Sequence, residues 1–197
     1  EFGANLALKP EKSTNYEAGL DLNITDDKYK IRLAGFKRNL TDAIVYGNIG
    51  FINQASQQVK GFEIEPAAKF GAITMSGYYA FVKGSEFNYI TSEVSDYLVR
   101  KPQHVFGLNA GVKISDNLYL SAMLKHNGKR KDGDFNTYTV VDLSSYQLVD
   151  VYAEYSVFKK RLKLFADLKN LFNEEYTEFY GYSSMGFNMN AGISFNI

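Results

Sequence analysis

The last eleven residues of the chain alternate between apolar and polar side chains without a break. One parity carries apolar side chains, namely Phe187, Met189, Ala191, Ile193, Phe195 and Ile197. The other parity carries polar residues and glycine, namely Asn188, Asn190, Gly192, Ser194 and Asn196. Because side chains of a β-strand point alternately to opposite faces, this segment predicts a strand with one face in an apolar medium and the other in water. The pattern is typical of transmembrane β-barrels, whose strands separate hydrocarbon from a wet lumen.

Earlier segments have the same alternation and, together with the last one, predict an all-β chain of about nine antiparallel strands. They cover residues 13–25, 28–39, 57–70, 72–83, 103–114, 118–126, 146–157 and 162–169. A further strand edge is predicted around residues 44–53, inside a longer polar connection. The segments are close to the roughly 9–11 residues that a tilted strand needs to cross a membrane.

Short turns alternate with long polar loops along the chain. The short turns are at 26–27, 71, 115–117 and 158–161, and the three longest loops are at 84–102, 127–144 and 172–185. Bacterial outer-membrane barrels have short turns on the periplasmic side and long loops outside. We therefore expect these three loops to be extracellular, together with the first thirteen residues.

Composition narrows the class of protein further. The chain has 197 residues with 22 basic and 22 acidic side chains, so it lacks the basic excess of a nucleic-acid-binding protein. The absence of cysteine excludes disulfides, thiolate metal sites and cysteine nucleophiles. No stretch approaches the roughly 20 apolar residues of a transmembrane helix, and no secretory leader opens the chain. An outer-membrane protein needs such a leader, so we expect this chain to be the C-terminal portion of a longer polypeptide.

A soluble antiparallel β protein, such as a sandwich or a lipocalin-like barrel, is the main alternative fold. Its apolar faces would point inward and would be filled by large side chains. Here the opposite faces carry glutamate, aspartate, lysine and asparagine throughout, which is consistent with a water-filled lumen. The sequence therefore favours the membrane barrel.

Several motifs are more specific than the alternation. They are Asn5-Leu6-Ala7-Leu8-Lys9-Pro10-Glu11-Lys12-Ser13, Val59-Lys60-Gly61-Phe62-Glu63, Asn170-Leu171-Phe172-Asn173-Glu174-Glu175-Tyr176 and Tyr180-Gly181-Tyr182. Together they resemble, in the same order, the C-terminal strands of TonB-dependent outer-membrane receptors. The resemblance implies that residues 1–197 are about the last nine strands of a 22-stranded antiparallel transmembrane β-barrel. The plug domain and the earlier strands would precede residue 1.

Within that family the chain is most similar to vitamin B12 (cobalamin) transporters. The segments that carry this likeness are Tyr138-Thr139-Val140-Val141-Asp142-Leu143, Tyr146-Gln147-Leu148-Val149-Asp150 and Tyr180-Gly181-Tyr182-Ser183-Ser184-Met185-Gly186. Two positions depart from the family pattern. Phe187 stands where an arginine is usual, and the chain ends in Ile197 instead of an aromatic residue.

The resemblance implies active, TonB-dependent nutrient uptake across the outer membrane of a Gram-negative bacterium, with a corrinoid as the ligand. The implied partners are outer-membrane lipid, the remainder of the barrel and plug, the TonB protein through the preceding part, and in some envelopes a surface lipoprotein. Ferric-siderophore and haem receptors would share every strand argument. A passive porin-like or structural barrel would lack the plug, and a barrel protease or lipase would need a loop Asp/His or Ser/His constellation. We expect no enzymatic activity, no cofactor and no nucleic-acid partner.

The sequence shows no catalytic or metal-binding constellation. His104 and His126 lie at predicted loop boundaries, where an interfacial or solvated histidine is expected. The run Asp132-Gly133-Asp134 supplies too few ligands for calcium, and we interpret it as a hairpin turn.

Three loop residues are candidates for binding the ligand. The resemblance to cobalamin receptors aligns Arg100 with an arginine near the ligand, and it aligns Phe135 and Tyr138 with aromatic contacts to the corrinoid. Aromatic faces and a guanidinium donor fit a large flat ligand with amide side chains. In the alternative interpretation, Arg100 caps a solvated loop and both aromatic residues belong to the interfacial girdle.

Overall fold

The structure of the protein, a computed structural model, describes residues 5–25, 28–47, 50–88, 91–158 and 161–195. Its strands are β1 (Lys12–Ile24), β2 (Tyr29–Gly47), β3 (Gly50–Phe70), β4 (Ile73–Asn88), β5 (Glu93–Ser95), β6 (His104–Lys113), β7 (Leu118–Asn127), β8 (Arg130–Asp134), β9 (Thr139–Leu143), β10 (Tyr146–Val157), β11 (Leu162–Lys169) and β12 (Asn188–Phe195). The described ranges contain no α-helix of the length and hydropathy that membrane crossing requires.

Nine of these strands form one antiparallel sheet in which each strand pairs with its neighbours along the chain. The order is β1-β2-β3-β4-β6-β7-β10-β11-β12, with β5 paired to the outer end of β4. Strands β8 and β9 form a separate hairpin between β7 and β10. The predicted all-β antiparallel fold is confirmed, and β1 and β12 are the two outer strands of the sheet.

The register of the strands places the predominantly apolar parity of each strand on the same face of the sheet. Leu164 on β11 lies opposite Ile193 on β12, and Val112 on β6 lies opposite Leu120 on β7. On β12, Ile193 is 70% exposed, so the sheet buries little of this face against its own residues. A soluble sandwich or lipocalin-like barrel would cover its apolar face, whereas a membrane barrel presents that face to lipid.

On the opposite face of the sheet, charged side chains of adjacent strands form ion pairs. Arg32 on β2 lies between two carboxylates, with its Nε 2.8 Å from Asp21 Oδ1 and its Nη1 3.5 Å from Glu65 Oε2. At the other end of the sheet, Lys163 Nζ is 2.9 Å from Glu154 Oε1. Such paired charges belong on the wet, lumenal side of a barrel.

Aromatic side chains border the apolar face at both ends. Near the short turns, Tyr29 and Phe70 pack edge to face with ring centroids 5.4 Å apart. Near the long loops, Phe62 contacts Phe81 and Phe81 contacts His104, with centroids 5.6 and 5.2 Å apart. We call these two groups the inner and outer aromatic belts. Phe70 follows Phe62 by eight positions on β3, which is a rise of about 26 Å along the strand. Because the strand is tilted, its height across the membrane is smaller than this and lies within an apolar band of about 25 Å.

Three connections contain more regular structure than the sequence predicted. The polar connection at 40–56 consists largely of extensions of β2 and β3, which stay paired up to Gly47 and Gly50 with a register shift near Ala43. The strand edge predicted at 44–53 is part of this hairpin, whose tip at 48–49 lies outside the described residues. Within 84–102, β4 continues to Asn88 and pairs with β5, and within 127–144, β8 and β9 form their hairpin.

The predicted short turns at 71 and 115–117 are confirmed. The turn at 115–117 joins β6 to β7, and Gly71 has the left-handed backbone (φ +57°) that glycine adopts without strain. The predicted turn residues Asp26, Asp27, Lys159 and Lys160 lie outside the described residues, as does the end of the last predicted strand at 196–197.

Candidate functional site

Three outer loops meet at one buried carboxylate, that of Asp132. This side chain is only 1% exposed and lies in β8, which places it between the 84–102 and 172–185 loops. Its Oδ1 accepts hydrogen bonds from Arg100 Nε at 2.7 Å and from the Gly133 backbone N–H at 2.8 Å. Its Oδ2 accepts one from the Tyr180 backbone N–H at 2.9 Å. A buried charge is tolerated when it is paired and hydrogen-bonded in this way.

Arg100 brings two aromatic rings to this carboxylate. Its guanidinium carbon is 5.0 Å from the Phe179 ring centroid and 5.8 Å from that of Phe135, within the range of cation–π attraction. The Arg100 backbone N–H also donates to the Lys131 carbonyl at 2.7 Å, which fixes the loop against β8. We call Arg100, Asp132, Phe135, Phe179 and Tyr180 the loop hub.

The surroundings of Asp132 lower its pKa. Burial by itself raises the pKa of this carboxyl, but the Tyr180 N–H, the Arg100 guanidinium and the Gly133 N–H outweigh burial and lower the pKa below its ordinary value. The carboxyl therefore stays ionised well into the acidic range, and its hydrogen bonds hold the loops together over that whole range.

This lowered pKa predicts a loop arrangement that resists mild acid. A carboxyl whose pKa is depressed in the folded state stabilises that state above its ordinary pKa, and the contribution is lost as the pH falls through the lowered value. Spin labels at Thr137→Cys and Ser183→Cys, both exposed loop positions of a chain without native cysteine, would report the distance between the loops. We expect one narrow distance distribution from pH 8 to pH 5, with broadening only below the ordinary carboxyl pKa of 3.8.

The Asp132→Asn protein is the control for this titration, because its side chain cannot ionise. Its distance distribution should not change with pH in the acidic range. Broadening that is complete by pH 5 in the native protein would contradict the assignment to Asp132.

A second group of contacts joins the 127–144 and 172–185 loops beside the hub. Arg130 is buried, donates to the Thr177 and Ser144 carbonyls, the latter at 3.3 Å, and lies 5.2 Å from the Tyr146 ring centroid. The Tyr146 hydroxyl donates to Glu178 Oε1 at 2.9 Å. The two loops are therefore connected twice, once at Asp132 and once through Arg130 and Tyr146.

The Asn170–Tyr176 motif forms the base of the last loop. The buried Asn170 side chain accepts a hydrogen bond from the Glu174 N–H at 2.8 Å and donates to the Glu174 carbonyl at 2.9 Å. Asn173 Oδ1 accepts the Phe187 N–H at 2.8 Å, which directs the chain into β12. Both asparagines have positive φ, 49° and 52°, a conformation that asparagine tolerates better than most residues.

The structure brings together two of the three candidate ligand residues. Arg100 and Phe135 lie side by side in the hub, whereas Tyr138 lies at the tip of the β8–β9 hairpin and is 70% exposed. Asp132, which the sequence placed in a hairpin turn, is instead in strand β8, and the turn follows it at 135–138. Phe179 and Tyr180 were not among the candidates: Tyr180 was noted only as part of the Tyr180-Gly181-Tyr182 motif, and nothing in the local sequence pattern distinguishes Phe179 from other loop aromatics.

The two histidines lie on the lipid-facing side, away from the hub. His104 Nδ1 is 2.8 Å from the Tyr79 hydroxyl, and His126 stacks on Phe106 with centroids 4.6 Å apart. In the described ranges no three histidine or acidic side chains are grouped as a metal site would require. The hub combines a guanidinium, a shielded carboxylate and several aromatic faces.

Comparison with known proteins agrees with this architecture. Residues 1–171 match the family described as TonB dependent receptor-like, beta-barrel. The chain is similar to the ferric-catecholate import receptor Fiu from K12 E. coli, with a TM-score of 0.73 and 20% identity over 98% of this chain and 29% of that one. It is similar to the FrpB iron transporter from Neisseria meningitidis, with a TM-score of 0.78 and 16% identity over 96% of this chain and 31% of that one.

A third similar structure is the siderophore receptor PiuA from Acinetobacter baumannii. The TM-score is 0.78, at 19% identity over 94% of this chain and 28% of that one. Identities this low establish a shared fold. The chain spans about three tenths of the length of these three proteins.

Proposed function

Since the chain belongs to the family of TonB-dependent receptor-like β-barrels, we propose that it forms barrel wall and outer loops of a receptor that imports a nutrient across the outer membrane. The family match over residues 1–171 carries the proposal. The loop hub supports it, because Asp132 fixes three loops into one surface above the barrel wall. A surface assembled from separate loops is how a barrel scaffold presents a binding site.

The proposal requires parts of the receptor that this chain does not supply. Strands β1 and β12 each have one unpaired edge in the sheet, and unpaired backbone groups are very costly in hydrocarbon. Further strands would close the barrel, and a plug domain and the TonB protein would couple it to energy. An enzymatic role has no support, because the family consists of receptors and transporters.

A ferric siderophore is the ligand class that we favour. The support is that the similar structures include a ferric-catecholate import receptor and a siderophore receptor. The hub is chemically compatible, because siderophore complexes are large, often aromatic and often anionic. Arg100, bracketed by Phe135 and Phe179, supplies a cation and ring faces in one place.

A corrinoid is the second candidate. The observation that favours it is the likeness of Tyr138–Leu143 and Tyr180–Gly186 to the corresponding segments of cobalamin transporters. These segments provide the exposed Tyr138 and Tyr182, both suited to packing against a flat macrocycle. A surface lipoprotein that covers the loops remains part of this second proposal.

Titration of the intact receptor in detergent distinguishes the two ligands. We would add a ferric catecholate siderophore and, separately, cyanocobalamin, and follow co-elution by the absorbance of each ligand. Stoichiometric retention of the siderophore alone supports the first candidate, and retention of cobalamin alone supports the second. Uptake by cells that continues without TonB would contradict active transport and would favour a passive pore.

Tyr138→Ala tests the contribution of the β8–β9 tip to binding. An exposed aromatic contact contributes about 1 kcal/mol, so we expect roughly five- to tenfold weaker binding of the retained ligand. Phe158→Ala is the matched control, because Phe158 is an equally exposed aromatic residue with positive φ at the opposite, inner end of the sheet. Equal effects of the two substitutions would remove Tyr138 from the proposed site.

A further inference from the structure

Three lysines lie directly side by side on adjacent strands of the sheet. In the strand register Lys37 on β2 is opposite Lys60 on β3, and Lys60 is opposite Lys83 on β4. With strands about 4.8 Å apart, the three side chains form a row about 10 Å long. We call this row the lysine ladder.

The ladder is on the lipid-facing side of the sheet. Lys60 has the same parity as Phe62 on β3, and Lys83 has the same parity as Phe81 on β4. These phenylalanines belong to the outer aromatic belt, and the lysines are the next outward-facing residues toward the outer loops. Aromatic belts mark the level of the lipid headgroups, so the ladder lies at the headgroup level or just above it.

The charges of the ladder are not compensated by the protein. Like charges directly opposite each other on a sheet repel and destabilise the pairing. All three lysines are exposed, and in the described ranges none of them lies within ion-pair distance of a carboxylate. Asp96 is the acidic residue among those that line the groove of about 510 Å³ over the ladder. One acid against three lysines leaves this groove with an excess of positive charge.

Basic residues continue beside the ladder. A further groove of about 560 Å³ is lined by Lys101, Lys129, Arg130 and Lys131 together with His104 and His126, and Asp142, which pairs with Lys131, is the acid among its lining residues. His104 contacts Phe81 of the outer belt, so this groove opens at the same level as the ladder. These basic residues form a band across several strands. The band is at the height in the membrane where the phosphates of a lipid leaflet lie.

We propose that the lysine ladder binds phosphate groups of a phosphorylated lipid in the outer leaflet. Phosphates would neutralise the three ammonium groups, while the acyl chains of the same lipid would cover the apolar face below the belt. This combination of a phosphate and attached acyl chains is the reason that we favour a lipid over a soluble anion. The inference does not depend on which nutrient the receptor imports.

The proposal is tested with the intact receptor in phosphatidylcholine nanodiscs that contain bis-phosphorylated lipid A. Each headgroup-level lysine strengthens binding to an anionic surface about fivefold, which is about 1 kcal/mol, so Lys37→Gln, Lys60→Gln and Lys83→Gln together should weaken lipid A binding roughly 100-fold. The triple arginine variant at the same positions should retain binding. Native mass spectrometry of the released receptor would count the bound lipid.

The control replaces three lysines on the opposite face of the sheet, so that it removes the same number of positive charges. Lys69→Gln, Lys113→Gln and Lys125→Gln should leave lipid A binding within twofold of the native value. Dephosphorylated lipid A should bind native protein and the ladder variant equally weakly. Heat-dependent gel mobility would first show that the native protein and the ladder variant are both folded. The proposal would be overturned if the two then bound phosphorylated lipid equally. Displacement of lipid A by millimolar inorganic phosphate would also overturn it.

Discussion

Asp132→Ala should separate the three outer loops while leaving the barrel wall intact. The substitution leaves the Arg100 guanidinium and the Tyr180 and Gly133 N–H groups without their shared acceptor. Breaking a buried ion pair costs about 3–5 kcal/mol, and since the Arg100 side chain is one-third exposed we expect about 2 kcal/mol here. Backbone amides around 98–101 and 178–181 should then exchange hydrogen roughly 30-fold faster in the intact receptor.

Asp142→Ala is the matched control for this experiment. Asp142 also forms an ion pair, with Lys131 Nζ at 2.9 Å, but its side chain is 82% exposed and it lies in the same hairpin. Exposed pairs contribute little, so exchange should change less than threefold. If Asp132→Ala also changed exchange by less than threefold, the loops would be held by the Arg130 and Tyr146 contacts alone.

Gly61→Ala should prevent normal assembly of the sheet. A Cβ at Gly61 would clash with the Phe81 carbonyl oxygen and would lie 2.8 Å from Phe36 Cζ. The first contact is to backbone, so relief requires β3 and β4 to move apart. Overpacking of this kind costs about 3 kcal/mol or more. We expect little or no folded receptor, measured as loss of the fast-migrating, heat-modifiable band on an unboiled gel.

Gly35→Ala provides the comparison on the adjacent strand. A Cβ at Gly35 meets no atom within 4 Å, and this residue pairs with Phe62 one position from Gly61. Replacing a strand glycine without strain reduces the freedom of the unfolded chain, so the effect should be neutral or stabilising by about 0.5 kcal/mol. Similar melting temperatures for the two variants would show that β3 and β4 can accommodate the alanine methyl group at position 61.

The membrane strands could be predicted from the sequence because two different solvents meet at the sheet. In β6, β7, β10, β11 and β12, hydrocarbon on one side and water on the other favour alternation, so the predicted and observed bounds agree within a few residues. The extension of β2 and β3 beyond residue 40 lies on the outer side of the outer aromatic belt. Polar residues such as Asn53 interrupt the alternation there, and the sequence predicted a polar connection with only a strand edge around residues 44–53.

The loop hub could not be predicted for a different reason. The partners of Asp132 are 32 residues earlier in the chain at Arg100 and 48 residues later at Tyr180. Local chemistry favoured a turn, since aspartate and glycine are common turn residues. The side-by-side order of β6, β7, β10 and β11 in the sheet brings these distant segments together, and a local pattern carries no information about that order. The ligand contacts of Arg100, Phe135 and Tyr138 stay a prediction.

The neighbour-to-neighbour order of the sheet has a consequence for how the protein acquires its structure. Every interstrand pairing joins segments that follow each other in the chain, so each closure spans few residues and costs little chain entropy. One of the two longest gaps, between β7 and β10, is occupied by the β8–β9 hairpin, which can form locally and shorten that closure. The sheet can therefore grow one hairpin at a time. At each stage only the two outer strands expose unpaired backbone groups to the bilayer.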